Sequence, residues 1–290
     1  MLYNTKKIFL LIPIIIYGFS VWSQEIIWVK ETWGDQLQPG IAIDEFNNFY
    51  ITDDYSFEQT FDGTTLPVDG NANMFLIKYS PDGQIIWTIN SSTTGDARGK
   101  GVSVLNENEI YFSGIFYNDI QIQGFSLDAN NTSANGYYGK ANEEGNLLWL
   151  KKIASPSHSW FTYSLIGADD YIIMTGRFRY PITFDNQTIN GQNGPGAGYK
   201  SCISKFNSEG EIQWIYDFFG TSNLFQVKLD HDNNILFGGA FQNYLIFGSD
   251  TIYSEGYSDV FFGKLNSSGE LLWIKTISGP GYEYFKSIEN

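Results

Sequence analysis

The sequence predicts an all-β protein built from tandem repeats, most simply the blades of a β-propeller. Three observations lead to this prediction. Aromatic residues make up 17% of the 290 residues and Gly occurs 30 times, a composition that suits strands joined by tight turns. Short apolar runs alternate with a period of two, and no stretch shows convincing helical periodicity. A block of residues also recurs four times, at intervals of 61 to 63 residues.

The N-terminus has the pattern of a targeting segment. Lys6 and Lys7 precede an apolar stretch, Ile8–Trp22, and short residues before Gln24 suit signal-peptidase cleavage after Ser23. The competing interpretation is a membrane anchor, but the apolar stretch is shorter than the ~20 residues that a spanning helix needs. We therefore expect residues 1–23 to be a signal peptide. The protein would then be secreted or held at the cell surface, with the periplasm as the alternative destination and no membrane span.

The most regular element of the repeat is a Lys followed five residues later by Gly and nine residues later by Trp. In each copy a polar turn joins two strands, and Gly supplies the positive φ that such a turn requires, so each copy predicts a β-hairpin. The copies are Lys78, Gly83 and Trp87; Lys140, Gly145 and Trp149; Lys205, Gly210 and Trp214; and Lys264, Gly269 and Trp273. These Trp side chains, together with Trp28, are expected to pack between neighbouring units.

A second block aligns over 23 columns without a gap and begins at a turn rich in Asp and Asn. The alternating run before this turn and the Tyr-, Ile- and Phe-rich run after it predict the first two strands of each unit. A loop with its own small hairpin follows, and a third strand then leads into the repeat Lys. Each unit is therefore expected to hold four antiparallel strands. The copies of this block begin at Asp44, Leu105, Gly167 and Asp230, and the units span about 40–91, 100–153, 161–218 and 224–277.

Four strands repeated radially form a propeller, and a solenoid is the alternative for a repeated chain. The period of about 60 residues and the different character of the four strands favour the propeller. Residues 25–34 match the last strand of a unit and residues 283–290 match the first, so we expect a partial blade at the ends of a domain spanning 24–290. The ring is expected to be incomplete. Either the chain is a piece of a larger propeller, which we favour, or its ends share one unfinished blade.

These blocks resemble the SBBP (seven-bladed β-propeller) repeat family, which is common in secreted and surface proteins of Bacteroidota-type bacteria. The resemblance rests on D-x-x-N-N-x-Y-I-T from Asp44, on the F-x-x-K-x-x-x-x-G-x-x-x-W columns and on the Phe-Gly loop hairpin, and it covers 25–290. It implies about six to eight blades in a complete propeller and no shared catalytic residues. The Gly-x-x-x-Trp element is also similar to quinoprotein propellers, but their Ala-x-Asp-x-x-Thr-Gly form is missing, so no quinone cofactor is expected.

Charge and cysteine content argue against several classes of function. The formal charge is −15, or −17 without residues 1–23, and such a surface repels nucleic acid and anionic lipid headgroups. The only Arg residues are Arg98, Arg177 and Arg179, too few for a phosphate-binding stripe. Cys202 is the single cysteine and excludes an intramolecular disulfide. Its apolar strand pattern favours a small buried side chain over a nucleophile.

No catalytic or metal-binding constellation is evident in the sequence. His158 and His231 are the only histidines and lie in polar loops, so neither a His-based triad nor a zinc site is expected. The turns at Asp44 and Asp230 contain several oxygen ligands, which makes Ca²⁺ the one cofactor alternative. Hydrogen bonds from backbone N–H groups to Asp and Asn side chains explain these turns adequately. We expect no catalytic residue and no cofactor.

The loops between the second and third strands carry the individuality of the units. On a rigid scaffold such loops gather at one face and form a binding surface. Trp160, outside the aligned columns, is the candidate contact residue. We expect a non-catalytic binding or adhesion scaffold for a protein or glycan partner. The alternative is a glycan-active hydrolase or lyase, which a cluster of Asp, Glu, Tyr or Arg converging on the propeller channel would favour. The loops span 54–73, 115–136, 177–201 and 240–259.

Overall fold

The computed structural model describes residues 39–105, 109–129, 133–156, 171–179, 181–184, 187–190, 199–247 and 250–288, the backbone of 159–166, and two short strands at 7–8 and 31–32. Every regular element in these residues is a β-strand, and all the strand pairs are antiparallel, so the predicted all-β class is confirmed. This part of the chain contains no helix long and apolar enough to cross a membrane. The cleavage site after Ser23, and Trp28 in the expected partial blade, lie outside the described residues.

The strands repeat one plan in four successive units. A separate pair consists of β1 (Lys7–Ile8) and β2 (Glu31–Thr32). The first unit contains β3 (Gly40–Ile43), β4 (Phe49–Tyr55), β5 (Gln59–Phe61), β6 (Thr64–Leu66), β7 (Asn73–Tyr79) and β8 (Ile85–Asn90). The second contains β9 (Ala97–Leu105), β10 (Glu109–Phe116), β11 (Asp119–Ile122), β12 (Phe125–Asp128), β13 (Asn135–Ala141) and β14 (Leu147–Ala154). The third contains β15 (Ser159–Ile166), β16 (Tyr171–Phe178), β17 (Ile182–Phe184), β18 (Gln187–Ile189), β19 (Lys200–Asn207) and β20 (Ile212–Leu229). The fourth shares β20 and adds β21 (Ile235–Phe247), β22 (Asp250–Tyr253), β23 (Asp259–Leu265) and β24 (Leu271–Ile277).

Each unit contains four antiparallel strands and a small hairpin between the second and third of them. The strand orders are β3-β4-β7-β8, β9-β10-β13-β14, β15-β16-β19-β20 and β20-β21-β23-β24. The hairpins β5-β6 and β11-β12 are separate, whereas β17-β18 of the third unit pairs with β14 of the second, and the fourth hairpin is the end of β21 paired with β22. The predicted four-stranded plan and the predicted small hairpin are therefore both present. Within the described residues no strand pairing joins the sheet of the fourth unit to that of the first, so no closed ring is seen there.

The third and fourth units are joined by one continuous strand, which differs from the break expected between residues 218 and 224. Strand β20 is the last strand of the third unit and continues as the first strand of the fourth. The pairing of β20 with β21 shifts at Gly220/Thr221, and Gly220 has a φ of +112°. Because only glycine adopts such a φ without strain, the chain bends at this point while its strand hydrogen bonding continues.

The Lys–Gly–Trp hairpins have the same geometry in all four units. Each Lys lies directly opposite its Trp across the third and fourth strands, and the pairing shifts at the residue after the Lys. The turn glycines Gly83, Gly145, Gly210 and Gly269 have φ values of +78°, +80°, +71° and +83°. The positive φ predicted for the turn is therefore confirmed, because a side chain at this position would be strained.

The Trp of one unit packs on the turn glycine of the next. A Cβ placed on Gly145 would lie 2.7 Å from Cδ2 of Trp87, and Gly210 and Gly269 meet Trp149 and Trp214 at the same distance. The Trp87 indole N–H also donates to the carbonyl of Glu143 at 2.8 Å. These three Trp side chains thus lie between units, as expected. Trp273 is 38% exposed and packs edge-on against Phe262 of its own unit.

The first strand of each unit packs against the unit before it. Strand β9 contacts β3 and β4, and β15 contacts β9 and β10. A Cβ placed on Gly99 would lie 2.1 Å from Oγ1 of Thr52, so this contact requires glycine. The first strands of the second, third and fourth units each carry a β-bulge in their pairing with the second strand, which inserts one extra residue. The extra residues are Lys100, Thr162 and Phe225.

Candidate functional site

The first strands of the second, third and fourth units share an equivalent backbone position that holds a different residue in each of them. Arg98 is paired with Ile115, Trp160 with Arg177 and Asn223 with Ala240, and each pair lies just before the bulge. Because the strands are antiparallel, these positions lie at the end where the second strands lead into the predicted binding loops. The Asp-Asn turns and the Gly turns lie at the opposite end of the strands.

A fourth residue, Tyr284, occupies the same place on the extended segment after β24. The Glu283 N–H donates to the carbonyl of Ser258 at 2.8 Å, as the Ala97 N–H donates to the carbonyl of Ala72 at 2.8 Å. We call the segment in which the chain passes from one unit to the next a crossing. Tyr284 and Arg98 each come one residue after the N–H group that donates in their own crossing. We call the positions Arg98, Trp160, Asn223 and Tyr284 the entry column.

The sequence-based candidate Trp160 belongs to this column, although it falls outside the aligned blocks. Its backbone is described and its side chain is not. An interval of 62 residues separates it from Arg98, the same interval that relates the second and third copies of the aligned block. That interval is the signal that would have placed Trp160 in the repeat.

Charged side chains gather beside the entry column between the first and second units. Burial lowers the pKa of the Lys100 ammonium, and the carboxylates of Asp54 and Asp53 oppose that effect, whereas Arg98 adds to it. Arg98 also forms an ion pair with Asp96, with 3.2 Å between Nη2 and Oδ2. We call Asp53, Asp54, Asp96, Arg98 and Lys100 the inner charge cluster. Sequence reasoning missed it because the acids Asp53 and Asp54 come from a different unit than Lys100.

Two tyrosines take part in the surroundings of this cluster. The Tyr137 hydroxyl donates to the carbonyl of Arg98 at 3.1 Å. Burial, together with the charge of Asp54, holds the pKa of Tyr137 well above its usual range. Burial also raises the pKa of Tyr117, with Arg98 opposing this shift and Asp96 adding to it. Acids, bases and phenols thus come together at the bulge of β9.

In the third unit the strand paired with Trp160 carries a cation–aromatic contact. The guanidinium carbon of Arg177 lies 4.2 Å from the centroid of the Tyr199 ring. Burial lowers the pKa of Arg177, and Tyr199 opposes this shift. A cation over an aromatic ring at this distance is an attractive contact. This end of the third unit therefore holds the Arg177 charge against an aromatic ring.

In the fourth unit the same end of the strands is aromatic. The rings of Tyr257 and Tyr282 are stacked with 4.8 Å between their centroids and 11° between their planes. Tyr284 continues the stack at 6.3 Å and 19°. Tyr257, Tyr282 and Tyr284 are 67%, 55% and 72% exposed, and we call them the tyrosine ladder. Sequence reasoning missed the ladder because Tyr257 is 25 residues from Tyr282.

The Asp-Asn turns use their carboxylates locally. Asp44 Oδ1 accepts from the Phe46 and Asn48 N–H groups at 3.0 and 2.8 Å. Asp230 Oδ1 accepts from the backbone of Asp232 and Asn234, both at 2.9 Å. The predicted hydrogen bonding of these turns is confirmed. Among the described residues no group of three or more His, Cys, Asp or Glu side chains is arranged to hold a metal ion.

The remaining candidates of the sequence lie in structural positions or outside the described part. Cys202 is fully buried, and burial raises the pKa of its thiol to about 12, so the predicted small buried side chain is confirmed. His231 lies in the exposed turn between β20 and β21. His158 lies outside the described residues.

One comparison with known proteins agrees with a repeat architecture. No family model matches the chain, so the SBBP resemblance stays a prediction. Over 195 residues the chain is 25% identical to an uncharacterized WD repeat-containing protein of Acanthamoeba polyphaga mimivirus, an alignment that covers 61% of this chain and 14% of that protein. The chain thus spans a small part of that relative. Among solved structures, a protein of unknown function from Bacteroides caccae is similar over 88% of this chain and 86% of its own, with 11% identity and a TM-score of 0.37.

Proposed function

We propose that the chain is an SBBP-type β-propeller that serves as a binding or adhesion scaffold, secreted or held at the cell surface. The observation that carries this proposal is the contrast between two sets of equivalent positions. The Lys, Gly and Trp positions that pack the units together are the same in all four units. The entry column holds Arg98, Trp160, Asn223 and Tyr284. A constant framework with a variable rim is the arrangement expected of a binding scaffold.

The propeller architecture is supported by the packing between units and by the similarity to a WD repeat protein. WD repeats form propeller blades of four strands. The present unit is longer than the ~40–45 residues of a WD repeat. The additional small hairpin between its second and third strands accounts for extra length. Export is supported by the basic and apolar pattern of residues 1–23.

A protein or glycan partner is proposed to contact the entry-column end of the strands. The formal charge of −15 disfavours nucleic acid and other polyanions as partners, since like charges repel. Charge therefore favours neutral or basic ligands. The binding loops at this end extend the contact surface beyond the entry column itself.

The proposal is tested by comparing variants at the two ends of the strands. Residues 24–290 are screened on a glycan array and in pull-downs from cell-surface extracts. A Trp160→Ala, Tyr284→Ala double variant should lose the partners found. Phe46→Ala, which removes a 54% exposed side chain in the turn at the opposite end, should retain them. Partners that survive the double variant, or the absence of any partner in both screens, would overturn the proposal.

A second candidate function is favoured by one observation, the inner charge cluster. A group of acids and bases where two units meet, which includes the Arg98–Asp96 ion pair, is the kind of arrangement that acid-base chemistry uses. This would support a glycan-active hydrolase or lyase. Assays with polysaccharide substrates would detect sugar release that Lys100→Met abolishes and Lys286→Met, at an exposed lysine, leaves unchanged. Such turnover would replace the binding proposal, and its absence would leave the enzyme candidate without support.

A further inference from the structure

The tyrosine ladder is held by backbone contacts between two segments of the chain. The Tyr257 N–H donates to the carbonyl of Gly281 at 2.9 Å, and the Glu283 N–H donates to the carbonyl of Ser258 at 2.8 Å. A Cβ placed on Gly256 would lie 2.3 Å from the carbonyl oxygen of Gly279, so these segments approach as closely as glycine permits. The backbone that carries the three rings is therefore held in place before any ligand arrives, which reduces the entropy lost on binding.

The fold does not require tyrosine at these positions. The crossing from the first to the second unit makes the equivalent backbone contacts: the Asn71 N–H donates to the carbonyl of Gly95 at 2.9 Å, and the Ala97 N–H donates to Ala72 at 2.8 Å. The residues at the positions of Tyr257, Tyr282 and Tyr284 in that crossing are Asn71, Asp96 and Arg98. Because polar residues make the same connection, the packing of the fold does not explain three exposed aromatic rings in the fourth unit.

The arrangement of the rings limits the kind of ligand. Cation-binding aromatic sites surround their ligand with rings at different angles, whereas the ladder rings lie within 11° and 19° of their neighbours. The outer rings, Tyr257 and Tyr284, are more exposed than Tyr282 between them, which is consistent with an outer face open to solvent on each. Flat ring faces flanked by phenol hydroxyls match a pyranose sugar, which has an apolar C–H face and hydroxyls at its edge.

We infer that the tyrosine ladder is a carbohydrate-binding platform for neutral polysaccharides. This inference rests on the proposed binding function and names one site for it. Glu255 and Glu283 lie next to the ladder in the sequence, and with the net charge of −15 they disfavour uronic and sulfated sugars.

Affinity electrophoresis of residues 24–290 in gels containing laminarin, soluble starch, mannan or hydroxyethyl cellulose tests this inference, with alginate as the anionic probe. At least one neutral polysaccharide should retard the protein, and alginate should not. Tyr284→Ala and Tyr257→Ala should each weaken binding about tenfold, the loss expected for one stacking aromatic ring. Tyr253→Ala, at a 71% exposed tyrosine in the outer hairpin, should leave the affinity unchanged.

A triple variant carrying the residues of the first crossing, Tyr257→Asn, Tyr282→Asp and Tyr284→Arg, keeps the experiment informative if single variants are poorly folded. It should retain the unfolding temperature within a few degrees and lose polysaccharide binding. Retardation that survives this variant would overturn the ladder site and leave the scaffold proposal standing. Capture of a protein alone, abolished by the triple variant, would overturn the sugar assignment. Failure to bind any polysaccharide, array glycan or protein would overturn both proposals.

Discussion

Trp149 lies so close to Gly210 of the next unit that a Cβ on the glycine would stand 2.7 Å from the indole Cη2. The carbonyl of Gly210 also accepts hydrogen bonds from the Tyr138 hydroxyl, at 2.9 Å, and the Lys151 ammonium, at 3.0 Å. Both donors belong to the same unit as Trp149. Gly210 therefore forms the turn of its own hairpin and also the surface on which the preceding unit packs.

We expect Gly210→Ala to lower the free energy of unfolding by about 2–4 kcal/mol, because the new methyl group meets a ring and the backbone keeps a positive φ. Urea titration followed by fluorescence measures the change. Gly63→Ala is the matched control, because Gly63 has a φ of +85° and no atom within 4 Å of a Cβ. This control should cost only about 1 kcal/mol. Equal losses in both variants would mean that the contact with Trp149 contributes nothing.

Replacing the Trp of an internal unit should cost more than replacing the Trp of the fourth. Trp87→Ala removes the packing on Gly145 and the hydrogen bond to Glu143, and should destabilise the protein by about 3 kcal/mol. Trp273 lies opposite the Lys of its own hairpin, as Trp87 does, but the Trp273 side chain is 38% exposed. We expect a loss of about 1 kcal/mol there. Thermal unfolding of both variants measures the difference, and a larger loss in Trp273→Ala would contradict the role of packing between units.

The pair formed by Lys200 and Asp217 predicts an asymmetric response to mutation. The Lys200 side chain is fully buried, and its ammonium donates to Asp217 Oδ2 at 2.5 Å and to the carbonyl of Asn190 at 3.0 Å. Asp217→Ala leaves that ammonium without its counter-ion and should cost about 3–5 kcal/mol. Lys200→Met should cost at least about 1 kcal/mol less, because the Asp217 carboxylate can be solvated.

Chemical unfolding at pH 7 compares these two variants. The Asp217 side chain is 27% exposed, which is the reason for expecting water to replace the lost ammonium. The Lys200 ammonium lies 3.4 Å from the centroid of the Phe219 ring. A Lys200→Met variant less stable than Asp217→Ala would show that the packing of the Lys200 side chain contributes more to stability than its charge does.

The carboxylate of Asp230 predicts a loss of stability in acid. Partial burial favours its neutral form, but hydrogen bonds from Lys264, Asn234 and the local backbone outweigh that effect and hold its pKa well below the usual range. Because the folded pKa lies below the unfolded value of about 3.9, this stabilisation is present above that pH and is lost as the pH falls toward the folded pKa. Asp230→Asn should therefore be less stable than the parent at pH 7, and the difference should narrow below about pH 4.

Urea unfolding at pH 7, 5 and 3 measures the effect of Asp230→Asn. Asp232→Asn changes an exposed carboxylate in the same turn and should show no such convergence. A difference between Asp230→Asn and the parent that stays constant from pH 7 to pH 3 would refute the role of the carboxylate charge.

Cys202 should not react with thiol reagents in the folded protein. Its side chain is fully buried, and burial raises the pKa of the thiol to about 12, so thiolate is scarce at pH 8. A disulfide-exchange reagent such as DTNB should label no thiol in native buffer. It should label one thiol in about 6 M guanidinium, which unfolds most stable domains. Rapid labelling of the native protein would show that β19 opens readily.

The local features of the fold could be predicted because they depend on neighbouring residues. A turn that needs a positive φ selects Gly, so the sequence indicates each hairpin at its own position, as at Gly83 and Gly145. Alternation with a period of two similarly indicates the strands on either side. The continuity of β20 could not be predicted, because Gly220 is compatible with a break as well as with a bend.

The amino-acid sequence by itself determined the all-β class, the four hairpins and the repeat interval, because turn geometry and strand alternation are short-range properties of the chain. Only the tertiary structure decided that Trp149 meets Gly210, that Lys100 faces acids of the preceding unit, and that Tyr257 stacks on Tyr282. These contacts join residues of different units or of distant segments. They depend on the bulges, the strand register and the close glycine contacts that set how one unit lies against the next.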